Sequence, residues 1–282
     1  HPGHISLARR LRILNLLETL TLGQTRLTPE SMRAGLLAVL RSAWNIEERR
    51  TRTGNHLIYE GLALLAAGMS LQGHPRARVW RSLGSRILAT QMDRQVRPDG
   101  MNGELCTNYH LITGTNFLKG LILASGQNRN FPEEYCRRLA LMISVAGQLQ
   151  AQDGGFIALG DSDRLAGFSR EEREGRAFAR LSKTSTRTSS DVSQPVTLDQ
   201  EWLSAGAALP WLELPGHQHL QSTSDFGGYS LRRQPNGSLL IFDAGPFGLP
   251  GASHHGHADA LSFEVHLPGT RFLVDPGGFS YV

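Results

Sequence analysis

Near Gly216 the spacing of apolar residues changes period, which restricts the chain to folds that set helices and a sheet in succession. Upstream the apolar residues recur three and four apart. Residues 7–20 carry Leu7, Leu11, Leu14 and Leu17 on one stripe. Residues 29–44 follow, with Thr28 placed to cap them and Pro29 at the first helical position. Residues 57–69 repeat the pattern through Ile58, Leu62, Leu65 and Met69. Further helices are expected at 77–92, 105–123, 132–149 and about 198–211. Downstream the pattern alternates: Tyr229 and Leu231, then Leu239 to Phe242, flank Pro235-Asn236-Gly237, a hairpin turn signal. The expected organisation is therefore α+β and multidomain. Helices occupy 1–215, with a mobile Ser/Thr-rich loop at 180–197, and a β domain starts at 216 and is cut off at 282.

Two loops in the helical part look alike. Arg97-Pro98-Asp99-Gly100 and Ala151-Gln152-Asp153-Gly154 place their Asp-Gly pairs 54 residues apart, about one helical hairpin with its connections. Helix pairs in tandem at such a period suggest a solenoid-like or closed α/α array.

Chemistry concentrates near the C-terminal end. Ser253-His254-His255-Gly256-His257-Ala258-Asp259 holds three of the eleven histidines within four residues. It leads into the alternating segment Leu261, Phe263, Val265, Leu267; Pro268-Gly269-Thr270 then turns the chain into a second run that closes at Val274-Asp275-Pro276-Gly277. A hairpin brings its two ends together, so His257 and Asp275 can share one site. Imidazole and carboxylate suit a zinc-like ion, though two ligands are too few to close a zinc site, and a free imidazole beside it can move protons. Two earlier segments carry polar groups at the start of apolar helices. Gly54-Asn55-His56-Leu57-Ile58-Tyr59-Glu60 puts Asn55 and His56 where outward-pointing N–H groups favour an anion, with Glu60 one turn beyond His56. Gly103-Glu104-Leu105-Cys106-Thr107-Asn108-Tyr109-His110 puts Tyr109 at the polar start of the next such helix.

The order Asn-His, then Tyr, then His255-Gly256-His257-Ala258-Asp259-Ala260-Leu261-Ser262-Phe263 closing on Val274-Asp275-Pro276-Gly277 resembles the signature of the heparinase II/III-like polysaccharide lyases, which include heparinases and oligoalginate lyases. The resemblance spans most of the chain, and the C-terminal motif is its most specific part. It implies an incomplete (α/α) toroid followed by a truncated antiparallel β-sandwich domain, with a cleft between them. It implies β-elimination on a uronic-acid-containing acidic polysaccharide, alginate- or heparin-like, in the periplasm or outside the cell. The catalytic set it implies is Asn55, His56, Tyr109 and His255, with Glu60, Glu104, His110 and His254 as substrate-binding or supporting groups. His257 and Asp275 are its metal ligands here. The family's further histidine would lie beyond Val282, so zinc is expected to be structural and incompletely held.

That set suits the reaction. The proton to be removed lies α to a carboxylate, which when ionised makes it a poor acid. Asn55 and His56 would neutralise that carboxylate and hold the developing enolate charge. A base must take the C5 proton and an acid must protonate the leaving oxygen. Tyr109, with an ordinary pKa near ~10, needs nearby positive charge to act as base, and His255 needs less adjustment; the sequence leaves both open. A glycoside hydrolase on an α/α toroid would need two facing carboxylates, for which Glu60, Glu104, Asp161 and Asp163 are candidates. A non-catalytic polyanion-binding module is the third reading.

Composition narrows the partners. Basic residues outnumber acidic ones by 29 to 25, and all but two of them are arginine, whose fork matches carboxylate and sulfate. That excess fits an anionic glycan and is too small to argue for nucleic acid. No segment approaches a membrane span, and Cys106 and Cys136 form no paired motif. The chain opens without Met or a leader and ends within an expected strand, so it reads as a fragment; oligomeric state is not encoded in any feature.

Overall fold

The computed structural model describes residues 13–21, 23, 25–125, 131–153, 155–162, 170–183, 223–246, 255 and 260–275. Residues 13–21 are helical, and six further helices follow: α1 (Pro29–Arg49), α2 (Asn55–Ser70), α3 (Ala77–Gln95), α4 (Thr107–Ser125), α5 (Glu133–Gln148) and α6 (Arg170–Arg180). A five-stranded antiparallel sheet comes last: β1 (Thr223–Phe226), β2 (Tyr229–Arg233), β3 (Leu239–Asp243), β4 (Phe263–Leu267) and β5 (Thr270–Leu273), in the order β1-β2-β3-β4-β5. Helices followed by an antiparallel sheet is the order the change of period predicts. The expected helix at 198–211, residues 184–197 of the expected 180–197 loop and the first residues of the 7–20 helix lie outside the described residues; at the start of that loop Arg180 instead ends α6 and Leu181–Lys183 form a 3-10 turn. No helix among the described residues is long and apolar enough to cross a membrane.

The chain divides into two compact units, one of residues 1–92 with 119–131 and one of 93–118 with 132–282. In the first, Thr28 caps α1 by accepting the Ser31 N–H at 3.2 Å, with Pro29 in the first turn. Val39, Ala43 and Ile46 of α1 face Leu57, Leu64 and Ala67 of α2 and Trp80, Leu83 and Ile87 of α3. Gly84 lets α3 run backbone to backbone against α2, since a Cβ there would meet the Gly61 carbonyl oxygen at 2.6 Å. Glu47 closes this core from α1, accepting the Trp80 indole N–H at 2.7 Å and pairing with Arg76.

In the second unit the two similar loops are the same structure twice. Val96 bridges Asn102 and Gln150 bridges Phe156, and each bridge lies 54 positions from its counterpart. Arg97 N–H donates to Met101 and Ala151 N–H to Gly155, both at 2.9 Å. In each loop the aspartate accepts the N–H two residues on, Asp99 from Met101 and Asp153 from Gly155. Each aspartate also grips the sheet with its other oxygen: Asp99 takes the Gly227 N–H of the β1–β2 turn at 2.8 Å, and Asp153 takes the Arg271 guanidinium of β5.

Alternation decides which sheet face turns inward. Phe226, Tyr229, Leu231, Leu239 and Ile241 pack on Met101, Leu105, Val145, Leu149, Ile157 and Leu159. On β4 the polarity is reversed: Glu264 and His266 are buried, while Phe263 is 55 % exposed and Leu267 40 %. The turns read from Pro235-Asn236-Gly237 and Pro268-Gly269-Thr270 join β2 to β3 and β4 to β5. His266 points to the face opposite Phe263, as strand alternation requires.

Candidate active site

The loop ahead of α4 is built by Asn102. Its N–H donates to His110 Nδ1 at 3.2 Å, its side-chain oxygen accepts the Glu104 N–H at 2.9 Å, and its amide donates to Thr113 Oγ1 at 3.2 Å. His110 Nε2 donates to the Met142 carbonyl at 2.9 Å, so the ring is neutral with its proton on Nε2, and burial pushes its pKa from 6.5 to about 4. Both ring nitrogens are thus used within the fold. Leu105 sits in the left-handed region at φ 55°, where its carbonyl receives the Tyr229 hydroxyl at 2.9 Å. That conformation costs about 1–2 kcal/mol for a residue with a Cβ. It turns the chain sharply between Glu104 and α4.

The first turn of α4 is held by residues 157–162. Thr107 exchanges backbone and hydroxyl bonds with Leu159 and donates its hydroxyl to the Ile157 carbonyl at 2.7 Å. Ser162 Oγ accepts the Asn108 N–H at 3.4 Å and lies 3.3 Å from Cys106 Sγ. Burial pushes the Cys106 thiol up to about 11, so it stays protonated. Tyr109 follows in this turn, half-buried.

His255 meets this framework from the far end of the sequence. Its carbonyl accepts the Asp161 N–H at 3.0 Å, and its Nδ1 lies 3.3 Å from Asp161 Oδ2. Nε2 lies 3.6 Å from Glu104 Oε2 on the other side. The ring stacks on Tyr109, centroids 4.0 Å apart and planes at 26°. Gly160 makes the approach possible: it has φ 59°, and a Cβ there would meet the His255 carbonyl oxygen at 2.7 Å. An imidazole held through Nδ1 by a carboxylate, with a phenol on its face, has the groups that proton transfer requires.

The structure therefore brings together Tyr109, His255 and Glu104 of the residues read from sequence, and adds Asp161. By sequence Asp161 is a candidate only as an acid of a hydrolase. Its signal was the Gly160-Asp161-Ser162 turn after a short apolar segment, which carries no mark of what it would face. Asn55 and His56 belong to the first unit, at the first two positions of α2, with Gly54 just before the helix. Glu60 is 2 % exposed and its carboxylate receives the Thr51 N–H at 2.7 Å and hydroxyl at 2.9 Å, which anchors the loop leading to Asn55. Asp275 is described, just past β5; His254 and His257 lie outside the described residues.

The sequence matches the family model described as Heparinase II/III N-terminus over residues 5–172 and that described as Heparinase II/III-like, C-terminal over residues 216–282. A heparin-sulfate lyase of Pedobacter heparinus is 26 % identical over 244 residues, which are 81 % of this chain and 32 % of the relative. A heparin-sulfate lyase of Bacteroides stercoris is 32 % identical over 118 residues, 41 % of this chain and 18 % of the relative. The match thus spans a third or less of these curated relatives. Among solved structures, a heparinase III superposes with a TM-score of 0.70 at 21 % identity, and the heparan sulfate lyase of Pedobacter heparinus with 0.65 at 23 %. Each covers 98 % of this chain and 41 % of the other, so the fold is shared.

Proposed function

This chain belongs to the heparinase II/III family, and from that premise we propose that it acts as a polysaccharide lyase, cleaving a uronic-acid-containing acidic glycan by β-elimination. The observation that carries the reading is the His255 ring stacked on Tyr109 and oriented by Asp161. His255 takes the C5 proton of the uronate, using the nitrogen turned away from Asp161. Tyr109 gives its proton to the leaving glycosidic oxygen, and the C4–O bond breaks as the C4–C5 double bond forms. Asn55 and His56 neutralise the uronate carboxylate; this role comes from the family motif and from the chemistry of amide and imidazole donors.

The names of the relatives favour a heparin- or heparan-sulfate-like polymer over alginate. A lyase generates an unsaturated uronate that absorbs in the ultraviolet, whereas a hydrolase generates reducing ends without that chromophore. Rising absorbance on heparan sulfate supports the lyase; reducing ends without absorbance would replace it with the hydrolase, and neither signal would leave a polyanion-binding module. Glu104 and Asp161 are the carboxylates a hydrolase would require, and both converge on His255.

The helices are read as part of an (α/α) toroid and the sheet as one layer of a β-sandwich. Supporting the second is the outward face, where Phe263 and Phe272 are more than half exposed beside Leu240 and Phe242. Zinc is proposed on His257 and Asp275 as a structural ion pinning the His255 segment. Imidazole with carboxylate suits it, and among the described residues no group of three His, Cys, Asp or Glu surrounds a metal position. A polymer too large to cross a membrane supports a periplasmic or secreted location, which cell fractionation tests.

A further inference from the structure

One row of the sheet's inner face is unusual in charge. Arg233 on β2 pairs with Leu239 on β3, Leu239 with His266 on β4, and His266 with Arg271 on β5. Residues in register across adjacent strands point to the same face, so three nitrogen-bearing side chains line one edge of a single surface. With Gln152, Asp153 and the two hairpin turns they enclose a pocket of about 390 Å³. That lies within the roughly 300–1,000 Å³ of small-ligand clefts.

The charges in this pocket do not cancel. Arg271 is matched by Asp153, through two bonds of 2.9 and 3.0 Å, and its remaining nitrogen donates to the Phe156 carbonyl. His266 faces Glu264 at 3.1 Å. Arg233 meets only the backbone carbonyls of Gln148 and Gln150, and its Nε is buried without a hydrogen-bond partner. Among the described residues no carboxylate pairs with it. Burial pushes its pKa below the ordinary arginine value, the signature of a cation that lacks compensation. A charge removed from water needs a counter-charge, and a guanidinium matches carboxylate and sulfate oxygens in pairs.

We propose that this pocket binds a sulfate or carboxylate group with Arg233 as its counter-charge, at a site sharing no residue with the Tyr109–His255 cluster. Assigning that group to an acidic glycan rests on the lyase reading; the affinity of the pocket for an oxyanion does not. A glycan held here would be anchored by a sugar other than the one undergoing cleavage.

Thermal melting of the 282-residue chain with millimolar sodium sulfate, or with a sulfated heparin tetrasaccharide, tests this against chloride at equal ionic strength. Sulfate also stabilises proteins generally, so the informative quantity is the difference between wild type and Arg233→Gln. Wild type should melt higher with at least one probe, and Arg233→Gln should lose that rise, with calorimetric affinity about tenfold weaker or worse. Thr270→Glu, which adds a negative charge at the exposed rim, should also lose it and guards against a folding defect in the first variant. A rise with sulfate alone identifies a free-oxyanion site; a rise only with the tetrasaccharide identifies a glycan subsite. Equal rises in wild type and both variants, or none with either probe, overturn the proposal. Ultraviolet-absorbing product without an Arg233-dependent shift removes the pocket and leaves the lyase. The shift without product removes the lyase and leaves the pocket.

Discussion

His110 should make the second unit acid-sensitive in a pH window of its own. The ring is 0 % exposed, binds the Asn102 N–H through Nδ1 and the Met142 carbonyl through Nε2, and has its pKa lowered by burial from 6.5 to about 4. A charged imidazole would put a second proton against the Asn102 N–H, so the native state keeps it neutral. Between these two pKa values the unfolded chain binds the proton and the native chain does not, so stability falls as pH falls. The slope approaches about 1.4 kcal/mol per pH unit, and the full loss on reaching pH 4 is about 3 kcal/mol. The paired carboxylates Asp153 and Asp225, whose pKa values lie below the ordinary aspartate value, lose their contribution only at lower pH. Urea unfolding followed by far-ultraviolet circular dichroism at pH 7.5, 6, 5 and 4.5 separates the windows. His110→Gln should cost about 1–3 kcal/mol at pH 7.5 through the weakened Asn102 bond and then show a flatter slope between pH 6.5 and 4. Parallel slopes in wild type and variant would refute the reasoning, because the proton uptake would then belong to other groups.

Tyr109→Phe should abolish ultraviolet product formation while oligosaccharide affinity changes little; retained turnover would remove Tyr109 as the acid. Asp161→Asn keeps the shape of the Nδ1 partner but alters its charge, and should lower kcat roughly tenfold or more with KM little changed and a displaced pH–rate profile. A proportional loss in both constants with an unmoved profile would make Asp161 merely structural. His255→Ala should lose activity without losing zinc, whereas His257→Ala should lose zinc and melt lower; equal metal loss in both would contradict the division. Phe178, fully buried, should cost about 3–5 kcal/mol as Phe178→Ala, while Phe272→Ser on the exposed sheet face should stay within about 0.5 kcal/mol. Comparable losses in the two would show that the outer face is covered.

Most helices could be read from the sequence because each buries a stripe at helical spacing, as Leu139, Met142, Ile143 and Ala146 do in α5. Helix α6 could not: Arg-Glu-Glu-Arg-Glu-Gly-Arg offers no stripe, and its buried residues lie near its end, with Phe178 filling the space beside Gly114, Ala179 buried next to it and Gly175 against Leu111. The strands were visible through their turns, yet the orientation of β4 was not. Apolar residues at Phe263, Val265 and Leu267 suggest a core face, whereas Glu264 and His266 are the buried ones because that side adjoins the polar pocket. In the site, Tyr109 and His255 were legible as a motif. Asp161 was not, since a carboxylate that orients a ring 94 residues away has no local pattern.

The repeated loop explains how residues so distant in sequence come to share geometry. Asp99 closes its own turn with one oxygen and holds the sheet with the other, while Asp153 closes its turn with one oxygen and holds Arg271 of the sheet with both, so the loops and strands of this unit are tied at two corresponding points. Each of these loops leads into a segment of the site: the first into 102–110, carrying Glu104 and Tyr109, and the second into 157–162, carrying Asp161. They are bonded to each other through Thr107 and Ser162 and to the sheet through Tyr229. A shift of the sheet would therefore move the turn at Leu105, and with it the Glu104 side of His255. The 54-residue period thus reaches beyond the helical array: it fixes where the sheet docks within this unit, and that docking sets the two carboxylates between which the His255 ring is held.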